Sequence, residues 1–335
     1  MMADYFPFTS VPGLQVGQAQ NQEALTGCTV VLCPKGAVAG VDQRGGAPGT
    51  REIALLDPTK MVQRVHAVLL AGGSAYGLNA AAGVMRYLEE QDIGYDVGVA
   101  KVPIVPAAIL FDLAIGKSDV RPDEAMGYAA CQSASGDPPG EGNAGAGTGA
   151  TAGKILGMGG AVKSGIGHCA IDLGGGVWVG AIVAANPLGD IVDPATGAII
   201  AGARPTKIGP ITLGGPGPFA DSLEIMRTAA GKLALRVSGR DNTVIGVVAT
   251  NAELAKAEAT KVAQMAQDGV SRAVRPAHTQ YDGDTLFALS TGSKKADLNL
   301  VGAYAAEAVA QAIVRAARQA QSAGGLPSAT EIKAD

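Results

Sequence analysis

Runs of apolar residues alternate along the chain with glycine turns and amphipathic stretches. The segment "VHAVLLAGGSAYGLNAAAGVMRYLEEQ" predicts a buried strand, a glycine turn and a helix from about Ala75 to Glu90. "HCAIDLGGGVWVGAIVAAN" predicts two strands with a turn at Gly174–Gly176. Residues 137–167 are mostly glycine, alanine and small polar residues, which predicts long loops and short strands. The other elements predicted in this part of the chain are a strand at 27–34, a strand and loop at 37–52, and a helix in "RPDEAMGYAACQSA".

The carboxyl-terminal part of the chain carries the clearest periodic patterns. A short helix is predicted from Ala220 to Gly231, and "NTVIGVVAT" and "DTLFALSTG" predict buried strands. "AELAKAEATKVAQMAQDGVSRAV" has apolar residues at helical spacing, and "DLNLVGAYAAEAVAQAIVRAARQAQSAGG" predicts a long helix that ends at Gly324. Because strands and helices do not alternate regularly, the pattern favours an α/β (α+β) arrangement of sheets layered with helices over a doubly wound parallel fold.

Composition narrows the classes of partner. The 335 residues carry a net charge of −4 without a basic block, which argues against nucleic acid and against a polybasic membrane contact. The amino end "MMADYFPFTSVPG" lacks the basic cluster of a signal peptide, and the longest hydrophobic stretch is interrupted by prolines and an aspartate, so we expect a cytoplasmic chain. Four scattered cysteines predict reduced core thiols, and three distant histidines argue against a metal site. We therefore expect neither cofactor nor metal.

Two nucleotide-binding motifs fail at "GAGTGATAGK". The Walker spacing is one residue short between Gly149 and Gly153, and Ile155 follows Lys154 where a serine or threonine must hold magnesium. Only the looser G-x-G-x-x-A form of the dinucleotide pattern fits, because Ala150 takes the place of the third glycine. The sequence leaves open a different role for this glycine loop, in which its backbone N–H groups approach a substrate oxygen. No G-x-S-x-G elbow is present, which excludes the α/β-hydrolase pattern.

The segment "RDNTVIGVV" places Thr243 between a polar turn and an apolar strand. A threonine at this position is either an ordinary strand residue or a nucleophile that becomes an amino terminus. In the second case its hydroxyl attacks the carbonyl of Asn242, an ester forms, and water releases a free α-amine. That amine, with an ordinary pKa near ~7.7, then serves as the base for the hydroxyl.

Two further groups carry candidate chemistry. In "YDGDTLFALSTG", Asp282 and Asp284 lie two residues apart, so an extended chain points both carboxylates to one side; the alternative is a turn that uses Asp and Gly for their backbone tolerance. Asn186 ends an apolar strand in "VAANPLGD", where its amide is either a donor to an oxyanion or an ordinary turn residue before proline.

Taken together, these motifs resemble the self-processing aminopeptidases, a family that includes L-aminopeptidase/D-esterase, β-aminopeptidases and nylon-oligomer (6-aminohexanoate oligomer) hydrolases. The resemblance spans roughly residues 10 to 320. It rests on "TGCTVV", "VDQRGGAPGTRE", "LAGGSAYGL", "AGAGTGATAGK", "VAANPLGDIVD", "DNTVIGVVATN" and "HTQYDGDTLFALST". The Asn–Thr pair and the Asp-Gly-Asp run look closer to the nylon-oligomer hydrolases than to the β-aminopeptidases, which use a serine.

The resemblance implies a four-layer αββα sandwich similar to the N-terminal-nucleophile hydrolases, with the strand order of the aminopeptidases and ornithine acetyltransferases. It implies one hydrolase domain over 1–335, cut into a long subunit 1–242 and a short subunit 243–335 that stay together. Thr243 matches the nucleophile, Asp282 and Asp284 match the acids that orient it, and Asn186 and Lys154 match polar residues of that site. Oligomers built as a dimer of dimers, a homotetramer, are also implied.

One position departs from the family. Phe111 in "ILFDL" stands where relatives often carry tyrosine, which removes a hydroxyl from the substrate pocket. The sequence therefore predicts an autoprocessing amide hydrolase acting on small amides or peptides, without fixing whether these are α-peptides, β-peptides, D-esters or ω-amino-acid oligomers. Two alternatives stay open: an acyltransferase of the ornithine acetyltransferase type, and a scaffold that never cleaves.

Overall fold

The computed structural model describes residues 5–208, 211–215, 217–229, 231–232 and 242–332. The α-helices with described bounds are α1 Ala80–Glu90, α2 Glu124–Gln132, α3 Ser222–Arg227, α4 Lys256–Ala273 and α5 Leu298–Arg318. The strands are β1 Gln15–Asn21, β2 Thr26–Gln43, β3 Thr50–Arg51, β4 Val65–Ala71, β5 Tyr95–Asp96, β6 Lys101–Val102, β7 Ala107–Ile109, β8 Thr151–Ala152, β9 Val162–Lys163, β10 Ile166–Asp172, β11 Trp178–Asn186, β12 Asp190–Val192, β13 Ile199–Ala201, β14 Thr206–Ile208, β15 Ile211–Leu213, β16 Thr243–Ala252, β17 Val274–Arg275 and β18 Thr285–Lys294.

A nine-stranded mixed sheet forms the centre, in the order β10-β11-β16-β18-β2-β4-β7-β3, and β1 pairs with β2. The long strand β2 belongs to both halves, because its last residues pair with β18 and its first residues pair with β1 and β4. The pairs β16–β18 and β4–β7 are parallel, and the other pairs of this sheet are antiparallel. The sequence predicted two sheets; they are two halves joined by one 18-residue strand.

Side chains alternate along the strands, and the three largest hydrophobic cores of the described residues lie on different faces of the sheet. On β16, Val244 and Val248 pack against α4 and α5, whereas Ile245 and Val247 face a core shared by both halves of the sheet. The far side of the other half packs on α1 and α2. The order of layers is therefore helices, half-sheet, half-sheet, helices, which confirms the predicted αββα sandwich.

Most predicted elements are present, and their ends follow local chemistry. The carboxylate of Asp297 caps α5 by accepting the N–H groups of Asn299 at 2.8 Å and Leu300 at 3.2 Å. This helix ends at Arg318, and Gly324, the predicted end, lies six residues further on with a φ of 60°. By length and composition α5 would span a bilayer, but 67 % of that window is buried inside the protein, as in a core helix.

The four cysteines, all within the described residues, are buried and form no disulfide. Burial raises the pKa of Cys33, Cys131 and Cys169 to about 12, so their thiols are protonated at neutral pH.

The segments on either side of residue 242 are interleaved in the sheet. Strand β16 lies between β11 and β18, and β18 lies between β16 and β2. Strands from before and after residue 242 therefore share hydrogen bonds along two borders of the sheet.

Candidate functional site

Thr243 is the first residue of β16, which lies in the middle of the half-sheet formed by β10, β11, β16 and β18. It is 4 % exposed and lies opposite Asn186 in the antiparallel register of β11 and β16. By strand alternation it shares the face of Ile245, which is directed to the core between the two half-sheets. Arg240 and Asp241, which the sequence places in the turn before it, lie outside the described residues. The predicted buried strand beginning at Thr243 is confirmed.

The peptide bond before Thr243 has an unusual set of neighbours. The hydroxyl of Thr243 donates a hydrogen bond to the carbonyl oxygen of Asn242. The N–H of Gly283 donates to the same oxygen at 2.9 Å, through a parallel bridge between Asn242 and Asp282. A hydroxyl and a backbone donor thus meet at one carbonyl, the combination that acyl transfer requires.

The side chain of Asn242 is itself anomalous. It is 2 % exposed, and neither its oxygen nor its nitrogen has a hydrogen-bond partner within the part of the chain that the structure describes. Leaving a buried polar group without a partner costs about 1–3 kcal/mol. The residue before Thr243 is therefore held in unfavourable surroundings.

Asp284 is fixed against the backbone beside Thr243. One of its oxygens accepts the N–H of Val244 at 2.7 Å. The other oxygen accepts the backbone N–H of His278 at 3.1 Å and lies 2.8 Å from the Nδ1 of the same histidine. This carboxylate is 1 % exposed, so its negative charge acts at short range on the start of β16.

Asp282 lies next to it with a different set of partners. Its carboxylate accepts the hydroxyl of Thr279 at 2.5 Å and the N–H of Thr279 at 2.8 Å. Burial, and then the charge of Asp284, raise the pKa of Asp282 to about 6, whereas Thr279 and Lys154 act in the opposite direction. The two acids therefore share one buried site, as their spacing predicts.

A glycine segment explains how the acidic turn reaches this depth. The N–H of Arg44 donates to the carbonyl of Asp284 at 3.0 Å, and the N–H of Ala47 donates to that of Asp282 at 2.8 Å. A Cβ on Gly45 would lie 2.2 Å from the carbonyl oxygen of Asp282. The motif "VDQRGGAPGTRE" thus needs a glycine at this close approach.

On the other side of Thr243, Asn186 is the centre of a polar network. Its Oδ1 accepts the ammonium of Lys154 at 2.7 Å and the N–H of Thr151 at 3.0 Å. Its Nδ2 donates to the carbonyl oxygen of Phe111 at 2.9 Å. Asn186 and Lys154 are brought together beside the strand start, while the role of Asn186 in holding an oxyanion stays a prediction. Phe111 takes part through its backbone.

The glycine loop serves the protein itself. The N–H groups of Gly147 and Ala150 donate to carbonyls within the loop, at 2.8 and 3.1 Å. Those of Gly153 and Lys154 donate to the carbonyls of Gly189 and Leu188, at 2.9 and 2.8 Å. These hydrogen bonds hold the loop against the segment that follows Asn186, which explains how the side chain of Lys154 reaches Asn186.

A cavity of about 440 Å³ lies apart from these residues, beside α3. Leu213, Phe219 and Ile225 line it together with Asp221 and Glu224. None of the predicted site residues lies in the described lining. Cavity size therefore does not mark the site around Thr243.

Two members of the site escape sequence reasoning. The sequence pattern of the histidines speaks only to metal binding, yet His278 contacts Asp284, and Gly283 supplies an N–H to the carbonyl before Thr243. The local signal is their position in "HTQYDGD": His278 lies six residues before Asp284, whereas the partner of Gly283, Asn242, is distant along the chain.

Solved structures with this fold support the architecture. The L-aminopeptidase D-Ala-esterase/amidase from Ochrobactrum anthropi, described as a variant of the Ntn hydrolase fold, aligns with a TM-score of 0.71 at 20 % identity, covering 98 % of this chain and 90 % of that one. A β-aminopeptidase from Burkholderia sp. aligns with a TM-score of 0.65 at 21 % identity, over 95 % and 88 % of the two chains. At this identity the likeness concerns the fold alone.

Sequence comparison reaches the family level. An uncharacterized aminopeptidase of Mycobacterium leprae is 42 % identical over 358 positions, covering 98 % of this chain and 94 % of the relative. A 6-aminohexanoate-oligomer endohydrolase of Kocuria sp. is 34 % identical over 330 positions, covering 92 % and 84 %. The model of peptidase family S58 matches residues 7–330. The resemblance found in the motifs is thus confirmed: the chain belongs to peptidase family S58 and is a hydrolase of peptide or amide bonds.

Proposed function

We propose that the chain cuts itself between Asn242 and Thr243, and that the freed Thr243 is the nucleophile of an amide hydrolase. One observation carries the proposal. The Thr243 hydroxyl and the Gly283 N–H both bond to the carbonyl oxygen of Asn242, in a buried site with two carboxylates.

Self-cleavage proceeds through an ester between Asn242 and the Thr243 oxygen. The Thr243 oxygen adds to the carbonyl carbon of Asn242, and the negative charge that develops on the carbonyl oxygen is stabilised by the N–H of Gly283. The C–N bond then breaks, the hydroxyl proton ends on the Thr243 nitrogen, and an ester remains. Water hydrolyses that ester, which frees the carboxylate of Asn242 together with the hydroxyl and amine of Thr243.

The same atoms then act on an external amide. The Thr243 amine takes the hydroxyl proton as the oxygen attacks, and it returns a proton to the leaving amine. The acyl group stays on the oxygen until water removes it. Asp284, bonded to the N–H of Val244, places a negative charge beside this amine, which favours its protonated form once the proton has been transferred.

The two products of self-cleavage remain one molecule in this proposal. Strands on both sides of the cut share the borders β11–β16 and β18–β2, and α4 and α5 pack against the same half-sheet. Separating the fragments would expose that core to water. We therefore expect subunits 1–242 and 243–335 to copurify under native conditions.

The substrate class follows from chemistry and from relatives. Relatives are named as aminopeptidases and as endohydrolases of 6-aminohexanoate oligomers. We propose short linear amides as substrates, from α-peptides to ω-amino-acid oligomers. Initial rates on one panel containing an amino-acid amide, a β-dipeptide and a 6-aminohexanoate oligomer would rank them.

Intact mass and amino-terminal sequencing test the proposal directly. Purified protein should give two masses, corresponding to residues 1–242 and 243–335, and the smaller fragment should begin Thr-Val-Ile-Gly. Thr243→Ala should stay a single chain without amidase activity, whereas Thr243→Ser, which keeps a hydroxyl, should retain part of both activities. Hydrolysis by Thr243→Ala at the wild-type rate would place the nucleophile elsewhere.

A further inference from the structure

His278 contacts Asp284 with two different groups. Its backbone N–H donates to one oxygen of the carboxylate at 3.1 Å, and its Nδ1 lies 2.8 Å from the same oxygen. The other oxygen of Asp284 holds the N–H of Val244 at 2.7 Å. The carboxylate is therefore held between His278 and the residue after Thr243.

The backbone of His278 is set for this contact. Its φ is +58°, in the left-handed region that is uncommon outside glycine but that histidine, like asparagine and aspartate, adopts more often than most residues. This conformation brings both donors of a single residue onto one oxygen of Asp284. The turn from β17 to the acidic run therefore makes a specific contact.

The far nitrogen of the imidazole is also engaged. Nε2 lies 3.2 Å from the hydroxyl of Ser271 on α4. A hydroxyl can both donate and accept, so Ser271 can bond Nε2, while Nδ1 faces a carboxylate, which only accepts, and is the donor to Asp284. The ring is therefore held between α4 and the carboxylate.

We infer that His278 is a positioning residue: it holds the Asp284 carboxylate on the N–H of Val244 and so fixes the start of β16, with Thr243, in the reactive geometry. The inference rests on the function proposed above. The imidazole does not act as the base itself, since Nδ1 is directed to Asp284 and Nε2 to Ser271. Its effect reaches Thr243 through Asp284 and the backbone.

A set of substitutions separates positioning from a mere role in the turn. Glycine and asparagine both tolerate a positive φ, so neither strains the turn. His278→Gly removes the side-chain donor and keeps the backbone donor. His278→Asn supplies an amide N–H near the position of Nδ1. The two variants therefore differ mainly in the hydrogen bond to Asp284.

The experiment measures the rate of self-cleavage, then kcat and KM on one amide, with the melting temperature of each variant. We expect His278→Gly to lose about ten- to hundredfold in self-cleavage and in kcat with KM little changed, because one charge-assisted hydrogen bond is lost. His278→Asn should recover most of that loss. Asp92→Gly, at another residue with positive φ (56°), is the control and should cleave like wild type.

Two results for the His278 variants would contradict the positioning role. Wild-type rates for His278→Gly would overturn the positioning role. Equal losses in His278→Gly and His278→Asn, both with lowered melting temperatures, would overturn it as well, because only the turn would then matter. The function proposed above is tested separately by Thr243→Ala: activity in that variant would refute the nucleophile whatever the His278 variants do.

Discussion

Two buried carboxylate sites in this molecule look alike by burial and differ in their neighbours. At Asp190 the oxygens accept the N–H of Ser222 at 2.8 Å, its hydroxyl at 2.7 Å and the N–H of Ala203 at 3.4 Å. At the start of β16, Asp282 and Asp284 lie beside a threonine hydroxyl that contacts its own preceding carbonyl. Burial is the first cause of a pKa of about 6 at both Asp190 and Asp282.

A shifted pKa therefore does not by itself identify a reactive site. Asp112 is a third buried carboxyl with a pKa of about 6, held by Thr26 and Gly73 and influenced by Lys163. At Asp190 and Asp112 the partners are groups that the fold fixes in place. At the start of β16 the carboxylates adjoin the Thr243 hydroxyl, the carbonyl of Asn242 and an Asn242 amide that has no partner among the described residues, and this combination points to chemistry.

Substituting a glycine at each site should separate them most strongly. A Cβ on Gly283 would lie 3.0 Å from the Thr243 hydroxyl oxygen and 2.7 Å from the carbonyl of Ala47, and a Cβ on Gly202 would lie 2.6 Å from Asp190. We expect Gly283→Ala to slow self-cleavage about hundredfold or more, because it displaces the reacting groups. Gly202→Ala should lower the melting temperature and leave the cleavage rate unchanged. A time course on denaturing gels measures the cleavage rate of each variant, and thermal unfolding measures the melting temperature. Equal cleavage rates would contradict the distinction between the two sites.

The pH dependence of stability tests the structural side of the comparison. Asp190 has a folded pKa of about 6 against 3.8 unfolded, so the folded state favours its protonated form. Its stabilising contribution is full below about pH 4 and is lost as pH rises through 6, by about 3 kcal/mol for roughly two pKa units. The stability of wild type relative to Asp190→Asn should therefore fall by about that amount between pH 4 and pH 7. Urea titrations at both pH values measure it, and a constant difference would contradict the shift.

Asp284→Asn should lower the rate of hydrolysis rather than the stability. The substitution removes the charge beside the Thr243 amine and one charge-assisted hydrogen bond, worth ~1.5–3 kcal/mol, or about one to two decades in kcat. The acid limb of the pH–rate profile should move to lower pH, because an amine without its carboxylate loses its proton more readily. Asp190→Asn is the matched control and should keep kcat. An unchanged rate and acid limb for Asp284→Asn would assign Asp284 to the turn alone.

The smallest expected effect concerns Asn242. Its buried amide lacks a partner in the described structure, so a leucine of similar size should stabilise the uncleaved chain by about 1 kcal/mol. In a Thr243→Ala background, which prevents cleavage, Asn242→Leu should raise the melting temperature by a few degrees at most. Asn186→Leu in the same background should lower it, since the Asn186 amide is hydrogen-bonded to Lys154 and Phe111. A lower melting temperature for Asn242→Leu would mean that this amide is better satisfied than its contacts indicate.

Strands and helices with a clear apolar periodicity were predictable from the sequence, but the points where these elements connect or end were not. The apolar run from Thr243 and the helical spacing after Ala252 became β16 and α4 as expected. The strand predicted at 27–34 and the one after Ala37 are a single strand, because β4 pairs with it on both sides of an irregularity between Leu32 and Ala37, and β18 pairs with it from Val38 onwards. The sequence predicts that the long helix reaches Gly324, but it ends at Arg318, because the residues between them, "QAQSA", include no glycine or proline that would mark the end sharply.

The layered fold, the family, and Thr243 with its two acids as candidates could all be predicted from the chain alone, because they depend on residue type and on neighbours a few positions apart. The contacts between distant segments depend on the tertiary structure: Asn186 lies opposite Thr243 through strand register, and the Gly283 N–H reaches the Asn242 carbonyl. The physical reason is one of range. Hydrophobic periodicity depends on residues that are close together in the sequence, whereas a hydrogen bond of 3 Å between distant segments depends on how whole strands align.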